Sequence, residues 1–181
     1  VAALLELGRR WSIAPPRRPV WLVGFDLEEW GLIGSTVLAE QLKADRQRLK
    51  LMVSLEMLGY TSDQQRYPHP AMGRLYGNRG DFIALVANAR AGLSLARLTH
   101  AMGQHVTTKA LPVPRAGVDV PAVRLSDHSP FWDQGYNALM VTDTSFMRNP
   151  NYHQMSDTID TLDLPFLASV IDGLELALGR L

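Results

Sequence analysis

One stretch constrains the fold more than any other: Val20-Trp21-Leu22-Val23-Gly24-Phe25-Asp26-Leu27-Glu28-Glu29-Trp30-Gly31-Leu32-Ile33-Gly34-Ser35. It begins as an apolar run rich in β-branched and aromatic residues, which suits a strand buried on both faces. It ends in two adjacent carboxylates and a glycine, and then passes into a segment with helical spacing. A strand that stops at an acidic pair just before a helix lies at the carboxyl edge of an open α/β sheet, where ligand crevices form. Two carboxylates there can divide two tasks, metal ligand and general base. They can equally be a solvated turn that caps a helix.

The rest of the chain supports a parallel arrangement. Leu49 to Leu55 reads as a second strand and also stops at a carboxylate, Glu56. Ser35 to Lys43 lies between the two as a helix, with Leu38 and Leu42 on one face. Strand, helix, strand implies a right-handed parallel unit. That unit would bring Glu28, Glu29 and Glu56 to one edge of a sheet. Thr61 to Gly80 reads as a long loop carrying His69 between two prolines. Asp81 is expected to cap a helix running to about Gly103, with His100 and His105 near its end. Val106 to Val120 reads as extended, Pro121 to Leu125 as a short strand, and Tyr136 to Thr142 as a strand ending at Asp143. Residues 1–10 and the segment after Asp163 read as helices.

With 181 residues, 46% of them hydrophobic, the chain fits a single domain, 1–181, with a real core. Its net charge of +0 points to neither nucleic acid nor an anionic membrane as a partner. No apolar run reaches the length of a membrane span. The absence of cysteine excludes disulfides and thiolate metal sites and leaves the compartment open.

The polar residues that end strands or follow them are Glu28, Glu29, Glu56, Asp127, His128, Asp143 and His153. Carboxylates with imidazole, and no thiolate, suit zinc or another first-row divalent ion. A hydrolytic metal site also needs a carboxylate to take a proton from water.

These residues carry a resemblance. Phe25 to Ser35 is similar to the acidic-pair motif of the co-catalytic di-zinc aminopeptidases, the family of bacterial leucyl aminopeptidase and aminopeptidase Y. Ser54-Leu55-Glu56-Met57-Leu58-Gly59-Tyr60 resembles the next motif of that family. Ser126-Asp127-His128-Ser129-Pro130-Phe131-Trp132 and Tyr152-His153-Gln154-Met155-Ser156-Asp157-Thr158 resemble its last two. The resemblance implies a three-layer α/β/α sandwich around a mostly parallel mixed sheet. It implies a zinc metallopeptidase with a peptide substrate, two zinc ions per complete site, and hydrolysis of N-terminal peptide bonds. Glu28 would be the general base. Glu29 and His153 would bind one zinc and Glu56 the other, at a position where the family commonly has Asp. Asp127 would either support the ligands from behind or orient substrate, and Arg148 and Tyr152 would line its pocket. His128 would be structural.

The family also has an upstream His-x-Asp segment and a bridging Asp in an Asp-Asn-Ala-Ser-Gly-like turn. That turn leads into a helix resembling Val1-Ala2-Ala3-Leu4-Leu5-Glu6-Leu7, so the chain reads as beginning just after it. With those two ligands outside these residues, weak zinc binding and little activity are expected of the 181 residues alone. Missing upstream strands would leave a sheet edge unpaired and open to self-association. A glutaminyl-cyclase-like acyltransferase of the same superfamily, and a metal-free binding domain of the same fold, are the competing readings.

Overall fold

Four strands make the sheet in the computed structural model, which describes residues 1–181. They are β1 (Met52–Glu56), β2 (Ile83–Asn88), β3 (Thr108–Val113) and β4 (Ala138–Thr142), in the order β1-β4-β2-β3. β1 pairs parallel with β4 and β2 parallel with β3, while β4 and β2 run antiparallel. The sheet is therefore mixed and mostly parallel, as expected. Its two central strands, β2 and β4, are buried at every position, which matches their apolar runs.

Helices cover both faces. They are α1 (Ala2–Ile13), α2 (Ile33–Ala44), α3 (Pro70–Tyr76), α4 (Gly92–Met102), α5 (His128–Asp133) and α6 (Leu164–Gly179). Ile83, Leu85, Ala87, Leu139 and Val141 project to one face and pack with Leu7 of α1, Leu98 of α4 and Leu174 of α6. Met52, Val86, Ala138 and Met140 project to the other and pack with Ala39 of α2 and Phe131 of α5. Alternation along each strand thus feeds two separate cores. Asp163 caps α6 by accepting a hydrogen bond from the Phe166 amide at 2.9 Å, with Pro165 in the first turn.

Three sequence expectations are corrected. Val20 to Asp26 joins no ladder, and Trp21 is 66% exposed. Composition can suit a strand, but only a hydrogen-bonded neighbour makes one, and this segment has none here. The segment from Asp81 is not one helix. Ile83–Asn88 is a central strand, and the helix begins at Gly92. A short, wholly apolar run has no periodicity to separate strand from buried helix. Pro121 to Leu125 is a 3₁₀ turn over Pro121–Arg124 instead of a strand. Inside the loop from Thr61, α3 forms, and the His69 side chain caps it by accepting from the Ala71 amide at 3.2 Å. That explains His69 without a metal.

Candidate metallopeptidase site

The acidic pair sits on a tight reversal. Backbone bonds from Gly34 N to Asp26 O (3.2 Å), Ile33 N to Leu27 O (3.3 Å) and Leu32 N to Glu28 O (2.8 Å) close the loop around Glu28, Glu29 and Trp30. Gly34 permits this closure, because a Cβ there would lie 2.7 Å from Asp26 Oδ1. The loop is thus held by its own backbone, although the segment before it is unpaired.

Glu56 ends β1 at the same edge. Burial and the nearby charges of Asp127, Asp143 and Glu29 raise its carboxyl pKa, and a hydrogen bond from Ser126 opposes them. Ser126 is itself bonded to Ser54, with hydroxyls 2.7 Å apart. Glu28 is pushed up to about 7 by burial and by the charges of Glu56, Glu29 and Asp127, with His153 opposing. Burial also raises Asp127, against a hydrogen bond from Ser35, and its Oδ1 is buried with no partner. Neighbouring carboxylates therefore raise Glu28 and Glu56 at one edge, and a bound cation there would relieve both.

His153 meets this cluster from the loop after β4. Its Nε2 lies 3.0 Å from Glu29 Oε1, and its ring stacks on Tyr152 with centroids 3.8 Å apart. The backbone is strained around the same residues. Leu27, Met57, Thr144, Ser145 and His153 all have left-handed φ values, between 42° and 75°. Strain of that kind collects where a site is held in place by its surroundings.

The expected residues Glu28, Glu29, Glu56, Asp127 and His153 are thus brought together. In kind, the donors fit zinc. In number they fall short, since no three His, Asp or Glu side chains gather around one point. Tyr152 lines the adjoining pocket, together with Glu56. Arg148 does not. It is buried, with its guanidinium donating to Gln65 Oε1 (2.9 Å), Phe82 O (2.9 Å) and Tyr60 O (3.1 Å), and it lies 4.5 Å from the centroid of the Phe82 ring. Gly80 makes room for it, because a Cβ there would clash with Arg148 Nε at 2.6 Å. Arg148 braces the pocket from behind Phe82 instead of lining it.

His128 is structural, as expected. It is fully buried, its Nε2 bonds Val123 O at 2.9 Å, and burial lowers its pKa to about 4. Asp143 is also a brace. Its carboxylate accepts from the Tyr60 amide (2.8 Å) and the Ser145 amide (2.9 Å), tying the loop after β1 to the loop after β4. Burial pushes its pKa to about 6.

The pocket beside the cluster has a volume of about 240 Å³ and mostly apolar walls, including Phe82, Val86, Leu111, Met140 and Phe146. Phe82 and the β3 residues were not evident as site residues from sequence. Phe82 carried only the signal of a buried apolar residue, and the β3 residues only that of an extended segment.

A three-layer sandwich thus carries an acid cluster at one sheet edge and an adjoining pocket. The chain belongs to peptidase family M28, whose family model matches residues 1–176. It is 37% identical over 183 residues to the uncharacterized protein YfbL of Escherichia coli (strain K12), a match covering 96% of this chain and 55% of that protein. The chain thus spans about half the length of that relative. Among solved structures, it is similar to an aminopeptidase from Aneurinibacillus sp. strain AM-1, with a TM-score of 0.67 and 24% identity over 97% of this chain and 36% of that one. It is also similar to Legionella LapA, with a TM-score of 0.64 and 21% identity over 98% of this chain and 45% of that one. At these identities the likeness shows the fold.

Proposed function

We propose that these residues form part of the site of a zinc-dependent aminopeptidase, which hydrolyses the first peptide bond of a peptide. The observation that carries this reading is the gathering of Glu28, Glu29, Glu56 and His153 at one sheet edge, against a pocket that Glu56 and Tyr152 both line. Glu29 and His153 would hold one zinc ion, and Glu56 the other. Zinc held there would supply Lewis-acid polarisation of the scissile carbonyl. Glu28 is the general base. A carboxyl that titrates near neutrality can take a proton from the attacking water and return it to the leaving amine. Asp127, beside Glu28 and Glu56, would orient the substrate by its charge. The first side chain enters the apolar pocket beside Tyr152.

The test is hydrolysis of leucine and methionine p-nitroanilides by the full-length protein with added zinc. Release of p-nitroaniline that ceases on chelation and returns with zinc supports the reading. A fully folded, zinc-loaded protein that releases none overturns it.

A further inference from the structure

One row of residues crosses the sheet beneath the pocket. Glu56 is opposite Thr142, Thr142 is opposite Ala84, and Ala84 is opposite Lys109. Directly opposed residues project from the same face of a sheet. All four line the cavity. Neighbouring strands lie about 4.8 Å apart, so three spacings place Glu56 and Lys109 roughly 14 Å apart at the backbone. The two residues between them, Thr and Ala, are short. The next row on that face runs Ser54, Met140, Val86 and Leu111, and the three of these that line the pocket, Met140, Val86 and Leu111, are apolar. The result is a trough with an apolar bed, a carboxylate at one end and an ammonium at the other.

The ammonium is unusual in its setting. Lys109 Nζ donates to the Tyr76 carbonyl and lies 3.8 Å from the centroid of the Phe82 ring. It is in no ion pair with any carboxylate. The same ring carries Arg148 at 4.5 Å, so the far end of the pocket holds positive charge on a buried aromatic. An ammonium on an apolar wall, with Asp81 near but no carboxylate in contact with it, acts on the charge of whatever enters.

We propose that Lys109 is a specificity-determining residue, which bars cationic first side chains from the trough and admits apolar or carboxylate-ended ones. This rests on the aminopeptidase reading, which puts the substrate's scissile bond at the Glu56 end and its first side chain along the row. A Lys or Arg side chain would then carry its charge toward Lys109 with nothing to neutralise it. A Glu side chain would bring the missing partner. A Met side chain would pack on Met140, Val86 and Leu111 and leave Lys109 bonded to Tyr76.

The experiment measures binding of L-methioninamide, the α-amide of L-glutamate and L-lysinamide to the zinc-supplemented full-length protein by calorimetry. Lysinamide is expected to bind at least about ten-fold more weakly than the glutamate amide, from repulsion between like charges in a low-dielectric pocket. Lys109→Glu should reverse that order. Lys109→Gln keeps a polar stem without the charge, and should bring the two within about three-fold of each other. Lysinamide binding as tightly as the glutamate amide, Lys109→Gln leaving the ratio unchanged, or no binding of any amide would each overturn the assignment. Turnover separates the two readings. Binding in the expected order without hydrolysis overturns the peptidase reading alone, and equal hydrolysis of all three amides' p-nitroanilide counterparts overturns the role of Lys109 alone.

Discussion

The rings of Tyr152 and His153 stack within 18° of parallel, although the two residues are adjacent in sequence. Neighbours in an extended chain point apart, and the left-handed φ of 56° at His153 brings them onto one side. The stack joins a candidate zinc ligand to the wall of the pocket. His153→Ala should therefore do two things. It should lower zinc retention after dialysis, read by elemental analysis, and it should weaken binding of apolar amino-acid amides. A loss of zinc with amide affinity intact would mean that the stack carries no mechanical role.

The 181 residues taken alone should hold less than one tight zinc per chain, because Glu29 and His153 supply two ligands where a catalytic zinc takes about three. Equilibrium dialysis with zinc measures this directly. Two ions retained through extensive dialysis would show that Glu56 and Asp127 complete the set.

In the full-length protein, Glu28→Gln should cut turnover by roughly 10²–10⁴-fold, the usual contribution of a positioned base. Zinc content should not change, since the amide keeps the shape of the side chain and the ligands are its neighbours. Full activity in this variant would remove Glu28 from the chemistry.

Ala84 lies in the middle of the trough and is 8% exposed. Ala84→Leu places three more carbons on the pocket floor. Substrates with a large first side chain should lose roughly ten-fold or more in kcat/KM relative to alanine substrates, because a clash with the bed acts only on the larger group. A uniform loss across all substrates would instead indicate disturbance of the sheet.

Two buried groups should give opposing pH dependences of stability. Asp143 is raised to about 6, so the folded chain binds its proton more tightly than the unfolded chain does, and stability falls as pH rises from about 4 toward about 6. His128 is lowered to about 4, so its contribution is present above about 6.5 and is lost as pH falls toward about 4. Each displacement corresponds to on the order of 3 kcal/mol. The two oppose each other in the native chain. Asp143→Asn should remove the falling contribution, so the urea midpoint climbs more steeply, or falls less, from about pH 4 to about pH 6.5 than in the native chain. An unchanged pH dependence in that variant would show that the Asp143 shift is absent.

The unpaired segment at Val20 to Val23 should make the 181-residue chain self-associate. Its four apolar side chains are between 37% and 66% exposed, and its backbone is bonded to no strand. Trp21→Lys together with Val23→Lys should shift light scattering from larger species to monomer. Wild-type chain that is monomeric at high concentration would count against this.

Much of this site was legible in the chain. Glu28, Glu29 and Glu56 each stand where an apolar run stops, and a strand that runs out at a polar residue marks a sheet edge whether or not its ladder is complete. That is why the three acids meet even though Val20 to Asp26 forms no strand. His153 was legible only through its motif, because spacing gives no means of joining a loop histidine to a carboxylate 124 positions away. Lys109 and Phe82 were not legible at all. Their roles come from strand order, and the row from Glu56 to Lys109 exists only once β4 and β2 lie between β1 and β3. The strand Ile83–Asn88 was misread as helix for a related reason: burial on both faces erases the periodicity that distinguishes the two.

The antiparallel junction between β4 and β2 has one more consequence. On one side of it, the site is built from chain leaving β1 and β4; on the other, from chain arriving at β2 and β3. Glu56 and His153 belong to the first set, while Tyr67, Tyr76, Phe82 and Lys109 belong to the second. Substitutions or insertions in the arriving segments can therefore reshape what the pocket accepts and leave the ligands in register. The Lys109 end of the pocket thus lies on stretches of chain that carry neither Glu56 nor His153.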